Sequence, residues 1–244
     1  MPDPIFADPL LASIYDPLDP DRSDLAPYAA MVTEFGASSL LDVGCGTGTF
    51  ACLLARRGIK VTGVDPAEAS LDVARTKPGA DAVTWLHGDA TTLPPMQVDM
   101  ATMTANVAQV FLTDEAWTST LEGIHAALRP GGRLVFETRV PSLRLWENWT
   151  RENTHKISDL DEVGRVESWC QLQEVSSPLV TFRWTYVLHA DGRTLVSDST
   201  LRFRERDEIV GHLTDVGFTV DDVRDTPDRP GREYVFVASK TGAR

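Results

Sequence analysis

Three glycines on alternate positions, Gly44, Gly46 and Gly48, stand directly behind an apolar run of Leu40, Leu41 and Val43. No other stretch limits the possible folds so strongly. Phe50, Ala51, Leu53 and Leu54 follow with helical character, so the stretch predicts strand, tight turn, helix. A glycine carries no Cβ, so such a turn can adopt backbone angles closed to other residues and let a ligand lie against the main chain. The helix behind it aims free N–H groups and its positive dipole end into the same space. A bound ligand is the expectation.

Spacing narrows the ligand. A dinucleotide fingerprint requires G-x-G-x-x-G; here the pattern is G-x-G-x-G, with Thr49 where the third glycine of that fingerprint would fall. Asp42, in front of the loop, is also foreign to it: a carboxylate would sit badly beside a pyrophosphate but well beside a cationic sulfonium. The next strand, residues 60–65, ends in Asp65, at the distance expected of an acid that accepts ribose hydroxyls. Together these residues closely resemble motif I of the class I S-adenosylmethionine-dependent methyltransferases. The resemblance is close over residues 40–138 and looser at both ends.

That resemblance implies an α/β fold with a Rossmann-like seven-stranded sheet, mostly parallel with the last strand antiparallel. It implies a monomer or homodimer holding S-adenosyl-L-methionine, with S-adenosyl-L-homocysteine as product. Asp42, Gly44, Cys45, Gly46, Gly48, Asp65 and Pro66 would line the cofactor, with Cys45 a small neighbour rather than a nucleophile. After a third strand at 83–87, Asp89 and Ala90 match the adenine-binding pair of the family. Tyr15 beside Asp16 matches a Tyr-Asp pair in a leading segment that folds over the cofactor as a lid. The turn formed by Arg129, Pro130, Gly131 and Gly132 resembles the family's turn before its fifth strand, and the closing hairpin at 218–223 and 234–238 its ending.

Composition sets outer bounds. Thirty-six acidic against 23 basic residues give a formal charge of −13. Such a field repels phosphate backbones and anionic lipid, so neither nucleic acid nor a membrane is the expected partner. Cys45, Cys52 and Cys170 are odd in number and have no metal-ligand spacing, so neither a disulfide framework nor a metal site is expected. No segment reads as a leader or as a membrane span, and the expected location is the cytoplasm.

Taken in order, the chain predicts a leading segment at 1–38 with one helix at 25–35. A cofactor-binding core follows at 39–140, with helices at 67–76 and 113–128 and a fourth strand at 98–103. Ligands of open α/β sheets bind outside the carboxyl ends of the strands, so Asn106 and Gln109 after the fourth strand, and Arg139 after the fifth, are expected to line the pocket. Residues 141–205 form an insert. Its first part holds Trp146 and Trp149, expected as an aromatic wall for the substrate. Its second part alternates as three antiparallel strands, with Asp191 and Gly192 giving a type I′ hairpin signal. These strands would roof the active site. A helix at 207–216 and the final hairpin close the chain at 206–244.

The expected reaction is methyl transfer to nitrogen or oxygen of a small molecule. Displacement at a sulfonium carbon depends on alignment of nucleophile and methyl, and a base is needed only where the acceptor carries a proton that leaves early. His155 is the candidate base. The alternatives are a non-catalytic S-adenosylmethionine-binding protein and, disfavoured by Thr49 and Asp42, an NAD-dependent oxidoreductase.

Overall fold

The computed structural model describes residues 2–241. The chain opens with two short helices, α1 (Pro4–Ala7) and α2 (Pro9–Leu18), where sequence reading expected irregular structure. Pro4 and Pro9 each stand in the first turn, where a missing N–H costs nothing and the fixed φ favours the helix. The Asp8 side chain accepts from the N–H groups of Leu10 and Leu11 and caps α2. The expected helix follows as α3 (Ala26–Glu34).

The core then alternates strand and helix: β1 (Ser39–Val43), α4 (Thr49–Ala55), β2 (Lys60–Asp65), α5 (Glu68–Thr76), β3 (Val83–His87), β4 (Val98–Met103), α6 (Asp114–Ala127) and β5 (Leu128–Arg139). The 129–132 turn is absorbed into β5, which starts earlier than expected because Leu128 pairs with Val98 before a register shift. After the insert come α8 (Arg206–Val216), β10 (Phe218–Arg224) and β11 (Glu233–Lys240); the insert itself carries α7 (Arg151–Thr154), β6 (Lys156–Leu160), β7 (Gly164–Ser176), β8 (Leu179–Leu188) and β9 (Thr194–Arg202).

The main sheet has the order β10-β11-β5-β4-β1-β2-β3, and β11 runs antiparallel to both neighbours. Alternate side chains feed two cores. Leu41, Met103 and Phe136 pack with Trp117, Leu121 and Ile124 of α6 on one face. Leu40, Met100 and Val135 pack with Tyr28, Val32 and Leu54 on the other. Burial on both faces is why β1 reads as a nearly unbroken apolar run. The order of strand addition reverses at β1, with β2 and β3 on one side and the parallel β4 and β5 on the other, and such a switch point opens a crevice at the strand carboxyl ends.

The insert forms a separate antiparallel sheet of four strands, β6-β7-β8-β9, one more than expected. The β8–β9 hairpin lies where Asp191 and Gly192 signalled one, but its ladder closes between Leu188 and Arg193 around four intervening residues. Gly192 alone has positive φ there, so the turn is not type I′. The leading helices fill the space beneath this roof: Leu11 and Ile14 pack against Val166, Tyr186 and Leu188, and the Ile5 N–H donates to Ser197 Oγ at 3.0 Å.

Candidate active site

Two cavities meet at the carboxyl ends of β1, β2, β4 and β5. The larger, about 670 Å³, is lined by the glycine turn, by Asp42, Asp65, Pro66 and Asp89, and by Tyr15, Arg22, Phe6 and Val110. Gly46 has open space where a Cβ would project, so its backbone faces the cavity directly; a Cβ on Gly44 would instead meet Val107 at 2.7 Å, and φ is positive at both. Gly48 begins α4 and its Cβ would strike Trp85 at 2.4 Å. It shapes the turn from behind and does not line the cavity.

Asp65 is held from both sides: Gly46 N–H donates to Oδ2 at 2.7 Å and Ala67 N–H to Oδ1 at 2.8 Å. Burial raises its pKa and these two donors oppose the rise. Each carboxylate oxygen keeps a lone pair for a further donor, and the group borders the cavity. Asp42 is almost fully buried, accepts from Thr102 Oγ1 at 3.0 Å, and is pushed up by burial to about 7. Asp89 folds onto its own loop, accepting from Thr91 N–H and Thr91 Oγ1, and reaches the cavity rim. Burial, then Asp42 and Asp65, push the Cys45 thiol well above its ordinary value, so it is a neutral lining group. Ala90 is packed in the core and borders a different surface groove.

Five carboxylates (Asp3, Asp42, Asp65, Asp89, Asp198) and one cation, Arg22, line this cavity among the described residues. That donor set fits a ligand that is cationic, carries hydroxyls and bears one carboxylate, and it opposes a pyrophosphate. S-adenosylmethionine meets those requirements. Arg22, held by Asp24 at 3.2 Å, was not legible in the sequence because it sits in an irregular acidic stretch.

The second cavity, about 420 Å³, lies under the roof and shares Asp3, Phe6, Tyr15, Ala105 and Val110 with the first. Its walls are Phe182, Trp184 and Tyr186 of β8 with Leu11, Leu201, Asn106 and Arg139. Tyr15 therefore stands at the junction of the two spaces. Asp16 beside it ties α2 to the glycine turn, accepting from Thr47 Oγ1 at 2.9 Å and Thr49 Oγ1 at 3.2 Å and pairing with Lys77 at 2.5 Å.

Ala105 and Asn106 both have left-handed backbone angles (φ 56° and 62°), a conformation costing of order 1–3 kcal/mol per residue. Two buried acids hold them. Asn106 donates its N–H to Glu137 Oε1 at 3.2 Å and its Nδ2 to Glu233 Oε1 at 3.0 Å. Tyr28 also donates to Glu137, and Arg229 lies 3.2 Å from Glu233 and 3.6 Å from Glu137. Burial and Glu233 push Glu137 up to about 7. The sequence concealed this network, because Tyr28, Glu137 and Glu233 come from three separate elements, α3, β5 and β11, and Arg229 from the loop before β11.

Several expected site residues lie elsewhere. Gln109 is buried and lines neither cavity; its Oε1 accepts from Arg139 Nη1 at 2.9 Å. Trp146 is buried edge-on against Phe203 at 4.5 Å with Val180 and Leu201, outside the roofed cavity. Trp149 packs on Phe182 and under the Arg139 guanidinium, also outside the lining. The aromatic lining of the roofed cavity comes from β8 instead, as Phe182, Trp184 and Tyr186, while Trp146 and Trp149 pack outside it. His155 is exposed, pairs with Glu167 at 2.9 Å and lines neither cavity. No described histidine borders either space; Asp3, whose carboxyl burial raises, borders both.

Residues 40–132 match the family described as methyltransferase domain. The sheet order and the acidic glycine-turn cavity agree with that match and with the class I fold of S-adenosylmethionine-dependent methyltransferases. Among relatives, a methyltransferase of Geobacillus sp. strain WCH70 is 29% identical over 216 residues, 84% of this chain and 85% of its own length. Matches to mycobacterial and Oceanobacillus iheyensis methyltransferases span 59% and 48% of those proteins. DesVI of Streptomyces venezuelae superposes with TM-score 0.77 at 21% identity, covering 95% of this chain and 98% of that one. The sugar N-methyltransferase KedS8 of Streptoalloteichus sp. gives 0.75 at 20% identity, covering 91% and 88%. Among the described residues, no helix is long and apolar enough to cross a membrane.

Proposed function

We propose that this chain transfers a methyl group from S-adenosylmethionine to a nitrogen or oxygen of a small molecule held beneath the roof sheet. The carrying observation is the junction of the two cavities at Tyr15, Phe6, Ala105 and Val110. A cofactor in the acidic cavity and an acceptor in the roofed one would touch only there. Similarity to a sugar N-methyltransferase favours nitrogen and a compact acceptor.

When bound, the cofactor supplies an electrophilic methyl group on a sulfonium. Asp65 would accept the ribose hydroxyls, Asp89 would meet the adenine edge, Arg22 the carboxylate, and Asp42 would face positive charge. The 105–106 bend, braced by Glu137 and Glu233, would fix one wall of the acceptor beside the reacting carbon. Tyr15, held in place by Asp16, would exclude water from the junction. For an acceptor whose proton must leave, Asp3 is the group placed to take it. The substrate-side unit is then the roof with the leading helices, and the remainder is the cofactor core.

Incubating the enzyme with S-adenosylmethionine and a panel of amino sugars, amines and phenols tests this reading by mass spectrometry. An acceptor 14 mass units heavier supports it. Cofactor binding without turnover on any acceptor would favour a non-catalytic binding protein.

A further inference from the structure

The roofed cavity holds one cation in its interior. Arg139 lies at the end of β5, half-buried, and donates only from Nη1, to Gln109 Oε1 at 2.9 Å, among the described residues. No carboxylate of the described residues lies within ion-pair distance of it. The nearby buried acids are committed elsewhere, Glu233 to Arg229 and Asn106, Glu137 to Tyr28 and Asn106. The other cation on the lining, Lys156, is exposed and gives its ammonium to the Leu18 carbonyl at 2.7 Å.

A guanidinium has five N–H donors in a fixed fork, and a cation drawn out of water without a partner is costly. Here the fork is nonetheless set in place, with Gln109 fixing one nitrogen and the Trp149 ring 5.7 Å below its central carbon. Among the described residues, its remaining donors have no acceptor. Fixed, unspent donors of this kind match the two oxygens of a carboxylate or phosphate. Arg139 lines the roofed cavity and not the cofactor cavity, so the anion it holds is a handle, separate from the atom that takes the methyl group.

We infer that the acceptor is a small molecule with an anionic oxygen group, carboxylate or phosphate, clamped by Arg139, and a flat ring body against Phe182, Trp184 and Tyr186. This rests on the reading of the roofed cavity as the acceptor site. The nucleophilic nitrogen or oxygen then lies at the far end of the same molecule, at the Tyr15 junction.

The test titrates benzoate, phenyl phosphate and benzamide into the S-adenosylhomocysteine-loaded enzyme, followed by ligand-observed nuclear magnetic resonance. The expected result is that at least one anion binds roughly tenfold or more tightly than the neutral amide, with that preference lost in Arg139→Gln. Arg139→Lys, which keeps charge but not the fork, should retain part of it. Preference for benzoate identifies a carboxylate acceptor, and preference for phenyl phosphate a phosphorylated one. Benzamide binding as well as both anions, or anion binding unchanged in Arg139→Gln, overturns the inference. Calorimetry with S-adenosylhomocysteine on each variant separates the outcomes: loss of cofactor binding by the wild-type protein would defeat the general reading, whereas cofactor binding without anion preference defeats only this one.

Discussion

The Thr47 hydroxyl, in the middle of the glycine turn, donates to Asp16 Oδ1 at 2.9 Å. Through that bond α2 and the glycine turn become one wall, and Tyr15 is carried to the junction of the two cavities. Asp16→Ala removes the acceptor for Thr47 and Thr49 and the partner of Lys77. Affinity for S-adenosylmethionine should fall roughly tenfold by calorimetry, with more rapid proteolysis of residues 4–18 and little change in the unfolding of the core.

Asp42 gives a pH signature. Its carboxyl is pushed up to about 7 by burial, and a bound cation favours the ionised form. Affinity for S-adenosylmethionine should therefore rise as pH increases through about 7, more steeply than affinity for the neutral thioether product. Asp42→Asn should flatten that difference. Equal pH dependence for both ligands in wild type and variant would remove Asp42 from its role facing the sulfonium.

Asp42 and Glu137 together predict the stability profile of the ligand-free protein. Both are raised to about 7 from ordinary values of 3.8 and 4.5. Between those limits the folded chain keeps protons that the unfolded chain has released, so stability should fall as pH rises through the window. Thermal melts should show the fall, and Glu137→Gln should reduce its slope. Because Glu137 also braces Asn106, that variant should lower kcat by distorting the bend while cofactor affinity stays near wild type.

Trp146 and His155 separate structural from catalytic roles. Trp146→Ala opens a cavity between Phe203, Val180 and Leu201 and should cost about 3–5 kcal/mol of stability without weakening cofactor binding. His155→Ala removes an exposed partner of Glu167 and should leave the pH–rate profile unchanged. A lost limb of that profile would restore His155 as the base.

The cofactor half of this site was legible in the sequence because its parts are local. Asp42, Gly44, Gly46 and Asp65 lie on one strand-turn-helix and the strand after it, and backbone geometry ties them together. The roofed cavity proposed for the acceptor was not, because it is assembled from distant elements. Phe182, Trp184 and Tyr186 showed an apolar face on β8, but nothing local says which side of a roof sheet looks inward. Trp146 and Trp149 announced burial in a polar loop, and burial alone does not distinguish a cavity wall from a core edge. The edge strand β6 escaped notice because it is short and exposes Ile157, so it lacks the alternation that revealed β7 to β9. Proline and aspartate made residues 4–18 look irregular, although Pro4, Asp8 and Pro9 are helix-start residues.

The glycine turn and Asp65 are proposed to hold S-adenosylmethionine. Isothermal titration of S-adenosylmethionine, S-adenosylhomocysteine and NADH into wild type and Asp65→Ala tests it most directly. Wild type should bind both sulfur ligands and not NADH, and Asp65→Ala should lose roughly tenfold or more for both. Absence of binding by wild type, preference for NADH, or unchanged affinity in Asp65→Ala would contradict it.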